Sequence, residues 1–394
     1  MNNNKKIVLV FIRHFLPSFK SGGPVRTLSN MVDNLSDKFI FKFVTLDRDY
    51  TDLAPFPNVL INKWTTINGD IDIFYMSQDH ATFLNIFHII RNTEHDIIYL
   101  NSFFDYIFTL KVILLNKFFN KYKVILAPRG EFSVGALALK SIRKKIFIYI
   151  THYLGLFDCV VWHASTEFER SDIMKHYLKS NNENVNIVLA ENIKIKVAID
   201  IPNISNSLFS NKIKIKNTLS IIFLSRICPK KNLDFALRIL LGVKANVVFN
   251  IYGPIEDPSY WKKCSKIIDS LPSNISCNYL GVLTPDQVSE VLAEHDLFFF
   301  PTRGENYGHV IAESLLSSTP ILISNLTPWI GLETLGIGYD FPLSDEMKFI
   351  KKIEDYASMD FIEFSDIRNT VQIYSAKYFS NKKIIQDNIN LFDC

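Results

Sequence analysis

Nowhere in the 394-residue sequence do about 18 uncharged apolar residues follow one another, so no membrane-spanning helix is expected. A secretory leader is not expected either: "MNNNKKIVLVFIRHF" starts basic, but its apolar run covers only about six residues before Arg13. That run reads instead as a first buried strand. Cysteine is scarce. The five present, Cys159, Cys228, Cys264, Cys277 and Cys394, are odd in number and scattered, with no two at a metal-ligand spacing. They read as reduced packing residues of a cytoplasmic protein, and His14, His95, His152 and His295 add no ligand spacing of their own. An excess of one charge is missing too, since 43 basic residues face 40 acidic ones. A net charge of +3 does not mark a nucleic-acid binder, and any basic surface must be local. Neither the GxGxxG dinucleotide fingerprint nor a Walker A loop occurs at the glycines weighed below.

What is present is apolar and aromatic. Hydrophobic residues make up 48%, with 32 Phe and 16 Tyr, a composition that excludes disorder. The length suits two domains, each able to bury its own core. Strand-length apolar runs alternate with helical patterns, first "IVLVFI", "FKFVTLD", "IDIFYM", "DIIYLN", "KVILAP" and "CVVWHAS". A loosened stretch rich in Asn, Ser and Lys, 179–219, separates these from "SIIFLSR", "VVFNIYG", "ISCNYLG", "LFFFPT" and "PILISN". The runs are apolar throughout rather than alternating, as parallel sheets covered on both faces require. The fold class is therefore α/β, two doubly wound Rossmann-like domains facing across a cleft, divided as 1–200 and 201–377. A final helix at about 378–394 is expected to pack back on the first domain. Ligand-binding residues belong just after the strands in such folds.

"SIIFLSR" runs into "ICPKKNLDFAL", which puts Arg226 at a strand end and Lys231 just before a helix beginning near Asn232 or Leu233. A planar Arg fork and a point-charge Lys on one loop suit the oxygens of a diphosphate; an exposed basic loop is the plainer reading. Gly22 and Gly23, with Pro24 in a first helical turn, let backbone approach an anion at a helix N-terminus, although a simple turn fits this stretch equally well. In "LFFFPTRGENYGHVIAESL", Glu305 falls in a loop, Tyr307 and Gly308 at the helix entry, and Glu313 about one and a half turns into the helix. His309 and Glu313 share a face, and amides around Gly308 offer an anion site. Glu313, flanked by "VIA" and "SLL", calls for a partner such as a ligand hydroxyl; an ordinary surface acid is the alternative.

Taken in order, "GGPVRTL", "APRGEFSVGALALKSIRKK", "HASTEFE", "LSRICPKKNLD", "ENYGHVIAESL" and "TPWIGLETLGIGYD" resemble the family-4 retaining glycosyltransferases of the GT-B fold, over nearly the whole chain. The resemblance implies transfer of a hexose-type sugar from a UDP- or GDP-linked donor to a sugar or lipid-linked oligosaccharide, in bacterial surface polysaccharide (O-antigen or capsule) biosynthesis. It implies that Arg226 and Lys231 stabilise the departing diphosphate, that Glu305 lies by the donor sugar, and that Glu313 binds the ribose. Asn306, Tyr307, Gly308 and His309 stand with them on the donor side, and the Gly22–Gly23 loop would close on the diphosphate from the other domain. Arg129 and Glu131 of "PRGEF" align with the acceptor-side loop, and His163 of "HAST" is expected to face the same cleft. No metal and no resident cofactor are implied, the nucleotide sugar being a co-substrate. Two positions depart from the family pattern: Ile204 stands at the domain junction where Gly is usual, and Thr319 where a smaller residue, commonly Gly, precedes the proline.

The segments "FTLKVILLNKFFNKYK" and "KSIRKKIFIYITHYLGLF" combine cations with aromatics in helical patterns. They admit either a peripheral surface for anionic lipid on the inner face of the cytoplasmic membrane, or core helices with a solvated basic edge. Two other functions share the fold, a sugar-nucleotide epimerase and a non-catalytic binding protein. A phosphorylase would need a pyridoxal-binding lysine, which the sequence does not reveal.

Overall fold

The computed structural model describes residues 5–18, 20–50, 52–67, 71–119, 122–138, 141–178, 194–202 and 214–393, so the junction position Ile204 lies outside the described residues. Two compact units emerge: Met1–Ile201 with Lys382–Cys394, and Pro202–Asn381. No helix among the described residues is long and apolar enough to cross a membrane.

Unit 1 is built on β1 (Lys6–Phe11), β2 (Phe39–Leu46), β3 (Trp64–Ile67), β4 (Ile71–Met76), β5 (Ile97–Asn101), β6 (Lys123–Ala127), β7 (Val160–Ala164) and β8 (Ile195–Val197). The sheet order is β3-β4-β2-β1-β5-β6-β7-β8. Its pairs are parallel except β3 with β4. Period-two alternation feeds a separate core on each face: Leu9 and Phe11 go one way with Ile98, Leu100 and Trp162, and Val8 and Val10 the other way with Tyr99 and Ile125. The first core centres on Phe103, whose ring meets those of Phe132, Phe157, Trp162 and Tyr177. On the second, the C-terminal helix Lys382–Phe392 lays Phe392 against Phe39, Phe41 and Tyr99.

Unit 2 holds β9 (Thr218–Leu224), β10 (Asn246–Tyr252), β11 (Ile275–Tyr279), β12 (Leu297–Phe300), β13 (Ile321–Ser324) and β14 (Gly338–Phe341). The order is β11-β10-β9-β12-β13-β14, every pair parallel. That is the doubly wound order 3-2-1-4-5-6, whose direction reverses between β9 and β12 and opens a crevice beyond their carboxyl ends. Three strands were not anticipated. β3 and β14 are sheet edges of four residues, partly exposed, and β8 has three residues within the stretch read as a linker. Each is too short to carry a periodic pattern and forms because a neighbouring strand offers it a ladder.

Candidate active site

The crevice of unit 2 is lined by two loops that the sheet order brings side by side. After β9 the chain passes Arg226, makes a single tight turn at Pro229–Lys231, and starts the helix Leu233–Leu241 through Asn232, held at φ 64°. After β12 it runs from Pro301 to Gly308 before the helix His309–Leu316. The loops are laced together. Asn232 Nδ2 donates to the Pro301 carbonyl at 2.8 Å, the amide of Arg303 donates to the Lys230 carbonyl at 2.9 Å, and Arg303 Nε donates to Asn232 Oδ1 at 3.0 Å.

Across this seam Lys231 Nζ donates to Glu305 Oε1 at 2.6 Å, and Thr302 Oγ1 donates to the same oxygen at 3.0 Å. Both members of the ion pair are only 12% exposed, and the ammonium lies 5.4 Å from the centre of the Phe300 ring. Burial by itself would raise the Glu305 carboxyl, but Lys231 and Lys230 outweigh it, and its pKa falls below the ordinary value. The pKa of Lys230 falls as well, which for an ammonium favours the neutral form. Burial lowers its ammonium pKa, Glu305 opposes the shift, and Lys231 and Arg226 add to it as like charges. Arg226 itself is held by Glu256 at 2.8 Å, from the loop after β10. Three cations thus converge on one strand end, in a geometry that an anionic ligand would relieve.

Gly308 closes the site. Its φ of 80° disfavours any side chain, and a Cβ there would meet Ile311 Cδ1 at 2.8 Å and Glu305 Cβ at 3.7 Å. The positive end of the helix His309–Leu316 therefore starts directly after the loop that carries Glu305. Tyr307 is buried, its carbonyl accepting from Trp329 Nε1 at 2.6 Å and its ring 5.0 Å from that of His309. Asn306, His309 and Glu313 are half-buried around the same helix entry. The sequence-predicted donor residues Asn306, Tyr307, Gly308, His309 and Glu313 thus lie on the loop and helix that follow β12.

The unit 1 residues are arranged differently. Gly22 has φ 69° and precedes the helix Gly23–Leu35, which carries Pro24 in its first turn; a Cβ on Gly22 would meet nothing within 4 Å. Arg129 is pulled inward, with its side chain 8% exposed and paired to Asp200 at 2.7 Å. It also donates to Asn101 at 3.0 Å and to Tyr99 Oη at 2.9 Å. His163 is fully buried, so the expectation that it faces a cleft is corrected. Its Nδ1 lies 2.6 Å from Tyr99 Oη and its Nε2 lies 2.8 Å from the Ala198 carbonyl, which fits a neutral ring accepting at Nδ1 and donating at Nε2. Burial, then the nearby Arg129, lower its pKa to about 4. Glu131 caps the end of β5, accepting from Ser102 Oγ at 2.6 Å and from the amides of Phe103 and Phe104 at 2.6 and 3.1 Å. Its carboxyl pKa is nonetheless raised by burial, against those hydrogen bonds.

Lys230, Glu256, Thr302 and Asp200 were missed by sequence reasoning. Lys230 had a signal, as the other half of the lysine doublet, and Glu256 sits just after a strand; Asp200 had none, since its partners are distant in sequence.

These features define a class: two Rossmann-like units with parallel sheets form the GT-B fold. HepE of Anabaena, solved in complex with UDP and glucose, is similar over 98% of both chains with a TM-score of 0.68 at 14% identity. Sucrose-phosphate synthase of Thermosynechococcus elongatus is similar over 99% of this chain and 98% of its own, with a TM-score of 0.72 at 11% identity. Residues 206–360 match the family model described as Glycosyl transferases group 1. An uncharacterized 41.2 kDa protein in the cps region of Klebsiella pneumoniae is 25% identical over 258 residues, which cover 62% of this chain and 64% of that relative.

Proposed function

We propose that the protein is a retaining glycosyltransferase that moves a hexose-type sugar from a UDP- or GDP-linked donor to a sugar or lipid-linked oligosaccharide in the assembly of a bacterial surface polysaccharide. The observation that carries this reading is the Lys231–Glu305 pair at 2.6 Å, with Lys230 and Arg226 beside it at the switch point of the second sheet. HepE, of similar fold, was solved with UDP and glucose, and the Klebsiella relative lies in a cps region, which supports the nucleotide-sugar donor and the polysaccharide context.

The chemistry follows from charge. When the bond between anomeric carbon and diphosphate oxygen breaks, negative charge grows on the departing nucleoside diphosphate, and fixed cations in a partly dry crevice stabilise it. Lys231 and Arg226 take that role, aided by the positive helix end after Gly308. Glu305 stays ionised, orients the ammonium of Lys231 and lies beside the donor sugar; Glu313, a turn further along the helix, is offered to the ribose. Asn306, Tyr307 and His309 shape the pocket between them. No metal or resident cofactor is assigned to the reaction, and Arg129 and Glu131 support the acceptor-side loop from within unit 1.

A panel of nucleotide sugars tests the reading. One of them should raise the melting temperature and be turned over, with NMR of the product showing the donor's anomeric configuration kept. Failure of every UDP- and GDP-sugar to stabilise the protein would reject the donor assignment, and an inverted product would reject retention.

A further inference from the structure

The helix Ser141–Tyr153 of unit 1 is apolar on two opposite faces, and only one of them has a core to meet. At about 100° per residue, Phe147, Ile148 and Thr151 share a face. Thr151 is buried on it, and Phe147 and Ile148 pack against the main core of the unit. On the other side Ile142, Ile146, Tyr149 and Tyr153 line up within about 60° of arc, with Ile150 at the margin. These five are 73%, 53%, 71%, 79% and 48% exposed. Folding does not account for such a stripe, because leaving apolar side chains in water forgoes about 1.5–3 kcal/mol for each large one.

The stripe is framed by charge of one sign. Arg143 and Lys145 are exposed and flank it on either edge, and no acidic residue occurs between Ser141 and Tyr153. The patch continues onto a neighbouring helix, Lys111–Phe119: Lys117 donates to the carbonyls of Leu154 and Gly155, and beside it Phe118 and Phe119 are 80% and 58% exposed. Leu154, at the end of the first helix, is 50% exposed. Apolar and tyrosine side chains in a stripe, with cations on its shoulders, match the interface of an anionic bilayer, where the stripe enters the acyl boundary and the cations meet phosphates. Thirteen residues reach only about 20 Å, so the helix lies in the interface and does not span it.

We propose that the face formed by Ser141–Tyr153 and the end of Lys111–Phe119 docks the protein on an anionic lipid surface. The surface acts independently of the nucleotide-sugar reading, and donor binding in unit 2 is not needed for it. The test is co-sedimentation of the full chain with vesicles of phosphatidylglycerol and phosphatidylcholine, against phosphatidylcholine alone. Binding to the anionic vesicles is expected to weaken with salt. Ile146→Asp with Tyr149→Asp should reduce it by at least tenfold, and Arg143→Gln with Lys145→Gln by about fivefold for each charge removed. Because these side chains are exposed, the melting temperature should hold; Phe118→Ser, on the other helix, supplies a second variant should either pair disturb folding. Equal binding to both vesicle types, no binding to either, or unchanged binding by the Asp pair would overturn the proposal. So would a concentration-dependent dimer abolished by the Asp pair, which would assign the face to a second copy of the chain.

Discussion

Lys231 and Glu305 are 74 residues apart in sequence and form an ion pair of 2.6 Å that joins the loops after β9 and β12. Each is nearly enclosed, so removing one leaves the other as a buried charge without its main partner. Lys231→Ala and Arg226→Ala should each lower sugar transfer by about 10²–10³, with kcat falling more than KM rises, if they stabilise charge that develops on the leaving diphosphate. Full turnover in both variants, with the fold retained by circular dichroism, would remove the site assignment.

Glu305 also predicts a pH dependence of stability. Its folded pKa lies below the ordinary carboxyl value of 4.5, so its contribution is present above that pH and is lost as pH falls through the folded value. The melting temperature of wild type should therefore exceed that of Glu305→Gln at neutral pH, and the gap should narrow below about pH 4.5. A gap that widens on acidification would contradict the ionised Glu305.

His163 makes the complementary case. Neutral in the fold with a pKa of about 4, it binds a proton in the unfolded chain from about pH 6.5 downward. Its contribution is complete above pH 6.5 and declines between there and pH 4, by up to about 1.4 kcal/mol per pH unit. Thermal melts of His163→Gln should show a flatter slope across that window than wild type. Equal slopes would mean that the ring titrates normally.

Arg129 and Asp200 test a structural role for the "PRG" turn. The pair is buried, at 8% and 3% side-chain exposure, and Asp200 also accepts from Thr27 Oγ1 at 3.0 Å. Arg129→Ala should cost about 3–5 kcal/mol by chemical denaturation. A loss below about 1 kcal/mol, with transfer abolished, would instead place the guanidinium at the acceptor.

Two glycines of positive φ separate strain from space: Gly308 lies at φ 80°, ψ 64°, in the left-handed region, and Gly22 at φ 69°, ψ −127°, which residues with a side chain rarely adopt. Gly308→Ala meets both a φ of 80° and a 2.8 Å clash with Ile311, whereas Gly22→Ala meets a φ of 69° and open space. Each should destabilise by about 1–3 kcal/mol, Gly308→Ala through its φ and the clash together and Gly22→Ala through its backbone angles alone, and Gly308→Ala should also weaken nucleotide binding. Thermal shift with and without UDP reads both effects, and a Gly22→Ala variant as stable as wild type would show that the backbone there relaxes to an ordinary conformation.

The central strands were legible because fully buried parallel strands must be apolar throughout, as in "IIYLN" and "LFFF", and the loops after them had to carry the polar chemistry. The positions of Arg226, Lys231, Glu305 and Gly308 in the loops after β9 and β12 were legible for the same reason. The acceptor-side reading of "PRGEF" and "HAST" was not secure, because Arg129 and His163 lie at strand ends whichever way their side chains turn. Inward rotation is a matter of available partners, here Asp200, Tyr99 and the Ala198 carbonyl.

By itself the sequence determined the alternation of strands and helices and the position of each loop along the chain, since hydrophobic period and glycine placement are local properties. Tertiary structure alone decided which loops meet. Strand order sets β9 beside β12 and so turns Lys231 and Glu305 into a pair; packing draws His163 and Arg129 into the interior; and the apolar stripe of Ser141–Tyr153 is left outside because the opposite face of that helix already covers the core. Those outcomes depend on contacts between residues far apart in the chain, and no window of local sequence contains both partners.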